Sequence, residues 1–244
     1  RLTTAAVKGL ESEDFAALST AQLLSITTAQ IAALLPAQIA ALSTAQMALL
    51  TEAQIQALST ANASGLTSAQ ITALTTGNIA GLESADLAQI APAAIVGLQT
   101  EDIAALTNLQ VQGFSSAQLA RFSSDQLAAL TPANIPGLQS IALAGITTAA
   151  LAGLETADLA VLASAQIQGL TTAQIQALNT LQIQAFTPTN VQGLNSTQLQ
   201  AFSTTNIAAL ETADLARLTT AAVQGLQSED FAALSTAQLL SITT

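Results

Sequence analysis

The sequence predicts an all-α fold, an α-solenoid of eight-residue repeats in which each octad forms one short capped helical turn. Three observations lead there: apolar residues at two fixed positions of every octad, helix-cap chemistry at a third, and charge that separates by sign along the octad. With Leu2 as position 1, that position recurs at Leu10, Leu18, Ile26 and onward to Ile242, and every occupant is Leu, Ile or Phe. Position 6 runs from Val7, Phe15 and Leu23 to Leu239; every occupant is apolar and only Ala63 is small. No insertion or deletion interrupts the frame.

The other positions identify the local structure. Position 2 is mostly Ser, Thr or Asn, as in Ser19, Thr27, Ser43 and Asn195. These side chains accept a hydrogen bond from the free N–H groups at a helix start. Position 3 holds Pro36, Pro92, Pro132 and Pro188. Proline suits the first helical residue, whose N–H has no intrahelical partner. Position 5 is usually Gln, Asp or Asn, three residues beyond the cap, as in Ser19 to Gln22. That is the spacing of a capping box, in which the later side chain reaches back to the cap N–H. Positions 1 and 6 then bracket the helix start as the two partners of a hydrophobic staple. Position 8 is Gly in eleven octads and Ala in most others, as expected where a helix ends or backbones approach closely.

Charge supplies an independent check. All fifteen acids lie at positions 2 to 5, and the four bases lie at position 7 (Lys8) or 8 (Arg1, Arg121, Arg217). Acids at the start of a helix and bases at its end are what the helix dipole favours, by about 0.3–1 kcal/mol each. Pro136, at position 7, would break an ordinary helix interior, so the turn is expected to be ending there.

One continuous helix is the obvious competitor, and the period argues against it. Eight residues at about 100° each shift the apolar stripe by about 80° per octad, so no single seam forms. A parallel β-helix would favour Val, Ile, Thr and aromatics over Ala, Gln and Leu. The expected helices are about four to six residues long, too short to persist alone, so stability must come from stacking on neighbours. Acidic pairs recur at Glu11 and Asp14, Glu83 and Asp86, and Glu155 and Asp158, with a related Gln227 to Asp230 segment. Their spacing is nine octads, divisible by three and not by two, which leans towards three octads per coil. Residues 1–28 and 217–244 differ only at Lys8/Gln224 and Glu11/Gln227, an offset of 27 octads. Residues 1–244 therefore read as one continuous array with a higher-order duplication, and as a fragment of a longer chain.

Composition removes much chemistry. The chain has no His or Cys and only four basic residues among 244, with a net charge of −11. Zinc sites of the usual kind, His- or Cys-dependent nucleophiles and haem ligation by either residue are excluded, as is neutralisation of a phosphate backbone. No apolar run is long enough to span a bilayer, so membrane insertion is not expected. Glu11, Glu13 and Asp14 form the densest acidic cluster, but calcium-binding spacings are missing and the helix dipole explains them better. The position-3 threonines suggest a hydroxyl face. The glutamines at positions 5 and 7, such as Gln174, Gln176, Gln182 and Gln184, suggest hydrogen bonds between coils or between chains. Capping accounts for position 5 and leaves position 7 without a role. No catalytic residue, cofactor or metal ligand emerges.

The stretches Leu170 to Ala177 (LTTAQIQA) and Ile26 to Ala33 (ITTAQIAA) resemble the Thr-Thr-Ala-Gln tandem tracts of very large bacterial surface or secreted proteins. That resemblance covers the whole chain and implies an extracellular or cell-surface, adhesive or filament-forming protein. The expectation is thus a structural segment of a giant extracellular protein and not an enzyme. Its partners would be neighbouring repeats or copies of itself, or cell-surface and matrix components, with no nucleic acid. The alternative is a repetitive binding surface for glycan, ice or a partner chain.

Overall fold

The computed structural model describes residues 3–242, so the Leu2 that starts the frame and Arg1 lie outside the described residues. Among those described, every regular element is helical: 26 short α-helices and four 3-10 helices, and no strand. The frame sets their limits. Thr28–Ala32 occupies positions 3 to 7, preceded by Thr27 in extended backbone at φ −74° and ψ 158°. The Thr27 N–H donates to Gln30 Oε1 at 2.8 Å, and the Gln30 N–H donates to Thr27 Oγ1 at 3.3 Å, the reciprocal pair of a capping box. At the far end the Ala33 and Leu34 N–H groups donate three residues back, to Gln30 and Ile31 oxygens at 3.1 and 3.0 Å. The final turn thereby tightens and the chain leaves the helix. Position 1 resumes extended backbone, as at Leu50 with φ −61° and ψ 135°. The backbone starts again in every octad.

Two expectations need correction. The α-helices keep to the expected four to six residues, but Ile79–Gly81, Ile135–Gly137, Ala150–Gly153 and Asn190–Gly193 are 3-10 helices of three or four. All four end in a position-8 glycine. Second, glycine does not end these helices through left-handed backbone, because no described residue has positive φ; Gly169, for example, sits at φ −74°. Pro136 lies inside Ile135–Gly137, where the Gly137 and Leu138 N–H groups donate to Asn134 and Ile135 oxygens at 2.9 and 3.0 Å. A 3-10 pattern needs no donor from residue 136, so the ring costs nothing there.

The contacts fall into two units, Arg1–Arg121 and Phe122–Thr244, and each follows the same rule. In the first unit Thr4–Lys8 packs on Thr28–Ala32, and Ser12–Ala16 on Pro36–Ala40; in the second Ser196–Gln200 packs on Thr220–Val223. The members of each pair lie three octads apart, so three octads make one coil. Position-1 and position-6 side chains share the interior of each coil. Ile39, Ile55, Ile71, Ile167 and Ile175 are fully buried, with Leu42, Leu58 and Leu170 at their side. The described residues contain no helix long and apolar enough to cross a membrane.

Candidate functional site: the seam between successive coils

The chemistry-bearing residues converge on the seam where one coil meets the next, and position 5 is its centre. Throughout the array this position admits only Gln, Asn, Asp and Ala. Gln174 shows why. Its Oε1 accepts the Thr171 N–H of its own cap at 2.7 Å, while its Nε2 donates to the Leu143 and Ile146 carbonyls of the preceding coil, each at 2.7 Å. The same register recurs at Gln70, Gln118, Gln182 and Gln198. Asparagine reaches as well: Asn190 accepts the Thr187 N–H at 2.9 Å and donates to the Leu159 carbonyl at 2.8 Å. One buried amide therefore closes a helix start and ties two coils together. Buried carbonyls and N–H groups are left paired, as an interior requires.

A second contact lies beside the amides. Position 8 of one coil meets position 3 of the coil before. At Gly97, Gly113, Gly153, Gly169, Gly193 and Gly225 an added Cβ would overlap the backbone of Ser68, Ser84, Ser124, Ser140, Ser164 and Ser196 respectively. These glycines allow close approach of two chains. The pairing is written in the sequence. Within the two units twelve threonines stand at position 3 with a position-8 partner at that same separation, and none of those partners is Gly; seven serines stand so, and six partners are Gly. Thr28, Thr44, Thr156, Thr172 and Thr204 are answered by Ala57, Ala73, Ala185, Ala201 and Ala233. Threonine at position 3 is thus always matched by a residue with a Cβ at position 8, whereas Ser, like Pro36 opposite Gly65 and Glu52 opposite Gly81, admits the bare glycine backbone. Shifting the comparison by one octad destroys the rule, since Thr44, Thr60 and Thr76 would then face Gly65, Gly81 and Gly97.

The acids divide by position. Those at positions 2 to 4, including Glu11, Glu13, Glu52, Glu83, Asp125 and Glu155, are exposed at helix starts, where the dipole favours them. At position 5, Asp86, Asp102, Asp158, Asp214 and Asp230 are buried, at 1–3% exposure, while Asp14 on the first coil is exposed. Dipole reasoning alone missed this difference; the restriction of position 5 to uncharged amides, Ala and Asp was the available signal. Burial raises the pKa of Asp86 and Asp102 above the ordinary value. Asp158 and Asp214 are pushed up to about 6, chiefly by burial. Asp102 Oδ2 and both carboxylate oxygens of Asp158 and Asp214 have no hydrogen-bond partner.

The expected glutamine ladder is therefore real between coils at position 5, whereas Gln56, Gln168, Gln176 and Gln184 at position 7 are exposed. Gln192 only reaches back to its own Pro188 carbonyl, at 2.9 Å. A cavity of about 590 Å³ opens on the first coil, bordered by Leu10, Leu18, Ile26 and Gln22, the positions that later coils cover with a preceding turn. The described residues hold no cluster of three or more potential metal ligands.

No curated protein is significantly similar to the chain. The family model of the ALTTAQ repeat matches five times, over residues 7–44, 26–60, 79–116, 151–188 and 207–244. These matches together span more than half of the sequence and follow the octad frame that the caps and the seam define, so the chain belongs to the ALTTAQ repeat family.

Proposed function

We propose that this chain is a structural segment of a giant exported protein, a stiff stalk or filament-building unit outside the cell or at its surface. What supports the reading is the polarity of the seam. Each coil offers amide donors to the coil before it, as Gln174 does to Leu143 and Ile146. Each also offers carbonyls to the coil after it, as Ile167 and Leu170 do to Gln198. Two complementary faces add head to tail without a natural limit, which is how solenoids grow and how heterologous contacts build filaments. His and Cys, which serve most often as general base and nucleophile, are missing from the chain's composition. The partners of this reading are neighbouring repeats or further copies of the chain. Small-angle scattering on the whole chain tests it: a maximum dimension several times the cross-section is expected, and a compact particle would overturn it.

A second reading has its own observation. Leu109, Ile141 and Leu181 all stand at position 4 and are 70%, 74% and 68% exposed, so the frame holds apolar side chains outward. They would suit a repetitive binding surface for a glycan, ice or a partner chain. Glycan arrays and thermal hysteresis test that reading, and negatives in both would dismiss it.

A further inference from the structure

Position 5 normally carries an amide because its outer end meets two carbonyl oxygens. The same register applied to Asp158 sets its carboxyl against the Leu127 and Leu130 carbonyls; applied to Asp214, it sets that carboxyl against those of Ile183 and Phe186. An ionised carboxylate has no proton to give. That register sets oxygen to face oxygen inside the seam at 1% exposure, and no donor of the preceding coil reaches any of the four carboxylate oxygens; only the cap N–H of Glu155 or Glu211 acts on the charge. A buried unpaired charge is among the costliest features a fold can carry. Asn190 shows that a side chain of the same length spans the gap when it holds a donor, reaching the Leu159 carbonyl at 2.8 Å.

We infer that Asp158 and Asp214 are proton-operated struts: each, as a neutral acid, donates its O–H to the preceding coil where Gln and Asn donate elsewhere, so that the array tightens as its surroundings acidify. The proton comes from solvent and returns to it, and no other bond changes. On protonation one carboxyl oxygen becomes the donor to the older coil, while the other faces the cap N–H of Glu155 or Glu211.

The surroundings favour the neutral form. For Asp158, burial acts first and raises the pKa; the Glu155 N–H lowers it and the Glu155 charge raises it, giving about 6. For Asp214, burial is again first, then the Glu211 charge, both raising it against the Glu211 N–H, to about 6. Leu127 belongs to Ser124–Ala128, whose start carries the exposed Asp125, the one further acid on the facing turns; the elements packed directly on these helices bring no other charge. Thr156–Val161, which carries Asp158, packs on Ile135–Gly137 and Thr180–Gln184, and Thr212–Leu215, which carries Asp214, packs on Thr236–Ser241. None of those three contains a titratable residue. Within the two octads the only other charged side chains are Glu155, Glu211 and the position-8 Arg217.

The folded-state value lies above the ordinary 3.8, so the folded chain binds these protons more tightly than the unfolded one. Stability from the struts is complete below about pH 4 and is lost as pH rises through about 6. At pH 5 each carboxyl is about tenfold more protonated than ionised. This is opposite to ordinary acid denaturation, in which paired carboxylates lose their partners.

Thermal unfolding of the whole chain and of its Asp158→Asn/Asp214→Asn variant, followed from pH 8 to pH 4.5, tests the proposal. The wild-type Tm should rise between pH 7 and pH 5. The variant, with a permanent donor, should exceed the wild type at pH 8 and lose most of that rise. Carbon NMR of the two carboxyls gives a readout that needs no variant, with midpoints expected near pH 6. Midpoints below pH 4.5 in the folded chain, or a variant that keeps the full wild-type pH dependence, would overturn it. So would sodium or calcium chloride raising the Tm at pH 8 to the pH 5 value, since the carboxylates would then be binding a cation and not a proton.

Discussion

Gly193 lies directly on the backbone of Ser164, so closely that a methyl group in place of the glycine hydrogen would overlap the serine carbonyl. The two residues belong to successive coils. Gly193→Ala should therefore destabilise the chain by about 1–3 kcal/mol through overpacking against backbone that cannot step aside. The control is Ala201→Gly, at the same octad position but facing Thr172. That change adds only chain entropy, costing about 0.5–1 kcal/mol. Chemical denaturation of both variants measures the contrast, and equal losses would refute the steric reading of the Ser–Gly contact.

The amide of Gln174 should be far more sensitive than that of Gln176, two residues away. Gln174→Ala removes the partner of the Thr171 N–H and one donor from each of two older carbonyls, and a loss of about 1–3 kcal/mol is expected. Gln176 is exposed, and Gln176→Ala should change stability by less than about 0.5 kcal/mol. Gln174→Asn should recover much of the loss, because Asn190 shows the shorter amide spanning the seam. Urea melts of the three variants decide the ranking.

Proline at position 7 should be harmless or harmful according to the helix it enters. Pro136 sits in a 3-10 turn that asks for no N–H from it. Ala128 occupies the same octad position but closes the α-helix Ser124–Ala128. Ala128→Pro removes an intrahelical bond and should cost about 3 kcal/mol. Pro136→Ala should shift stability by less than about 1 kcal/mol, mainly through the greater freedom of the unfolded chain. Circular dichroism melts of the two variants should differ accordingly.

Much of this architecture was readable from local rules. Thr27 with Gln30, or Ser43 with Gln46, announces a helix start from four residues alone, because capping is satisfied within one octad. The apolar pair at positions 1 and 6 likewise needs no partner to be recognised. What local rules could not give was the seam. The burial of Asp158 and the contact of Gly193 with Ser164 depend on residues a whole coil away, and a helix-dipole argument treats Asp158 and the exposed Glu155 alike. Glycine at position 8 was expected where a helix ends or backbones approach closely; its φ stays negative, and its missing Cβ serves the close approach.

The pairing of serine with glycine and threonine with alanine across the seam has a genetic consequence. Removing residues 178–185 excises one whole octad and leaves every cap intact, but it puts Thr156 opposite Gly193 and Ser164 opposite Ala201. Removing residues 162–185 takes out three times as much, yet brings Ser140 opposite Gly193, Thr148 opposite Ala201 and Thr156 opposite Ala209. The longer deletion should yield the more stable protein by thermal melting, despite its smaller core. Unequal recombination in such a gene is then tolerated in steps of three octads, and the duplication that relates residues 1–28 to 217–244, nine such steps long, obeys that arithmetic.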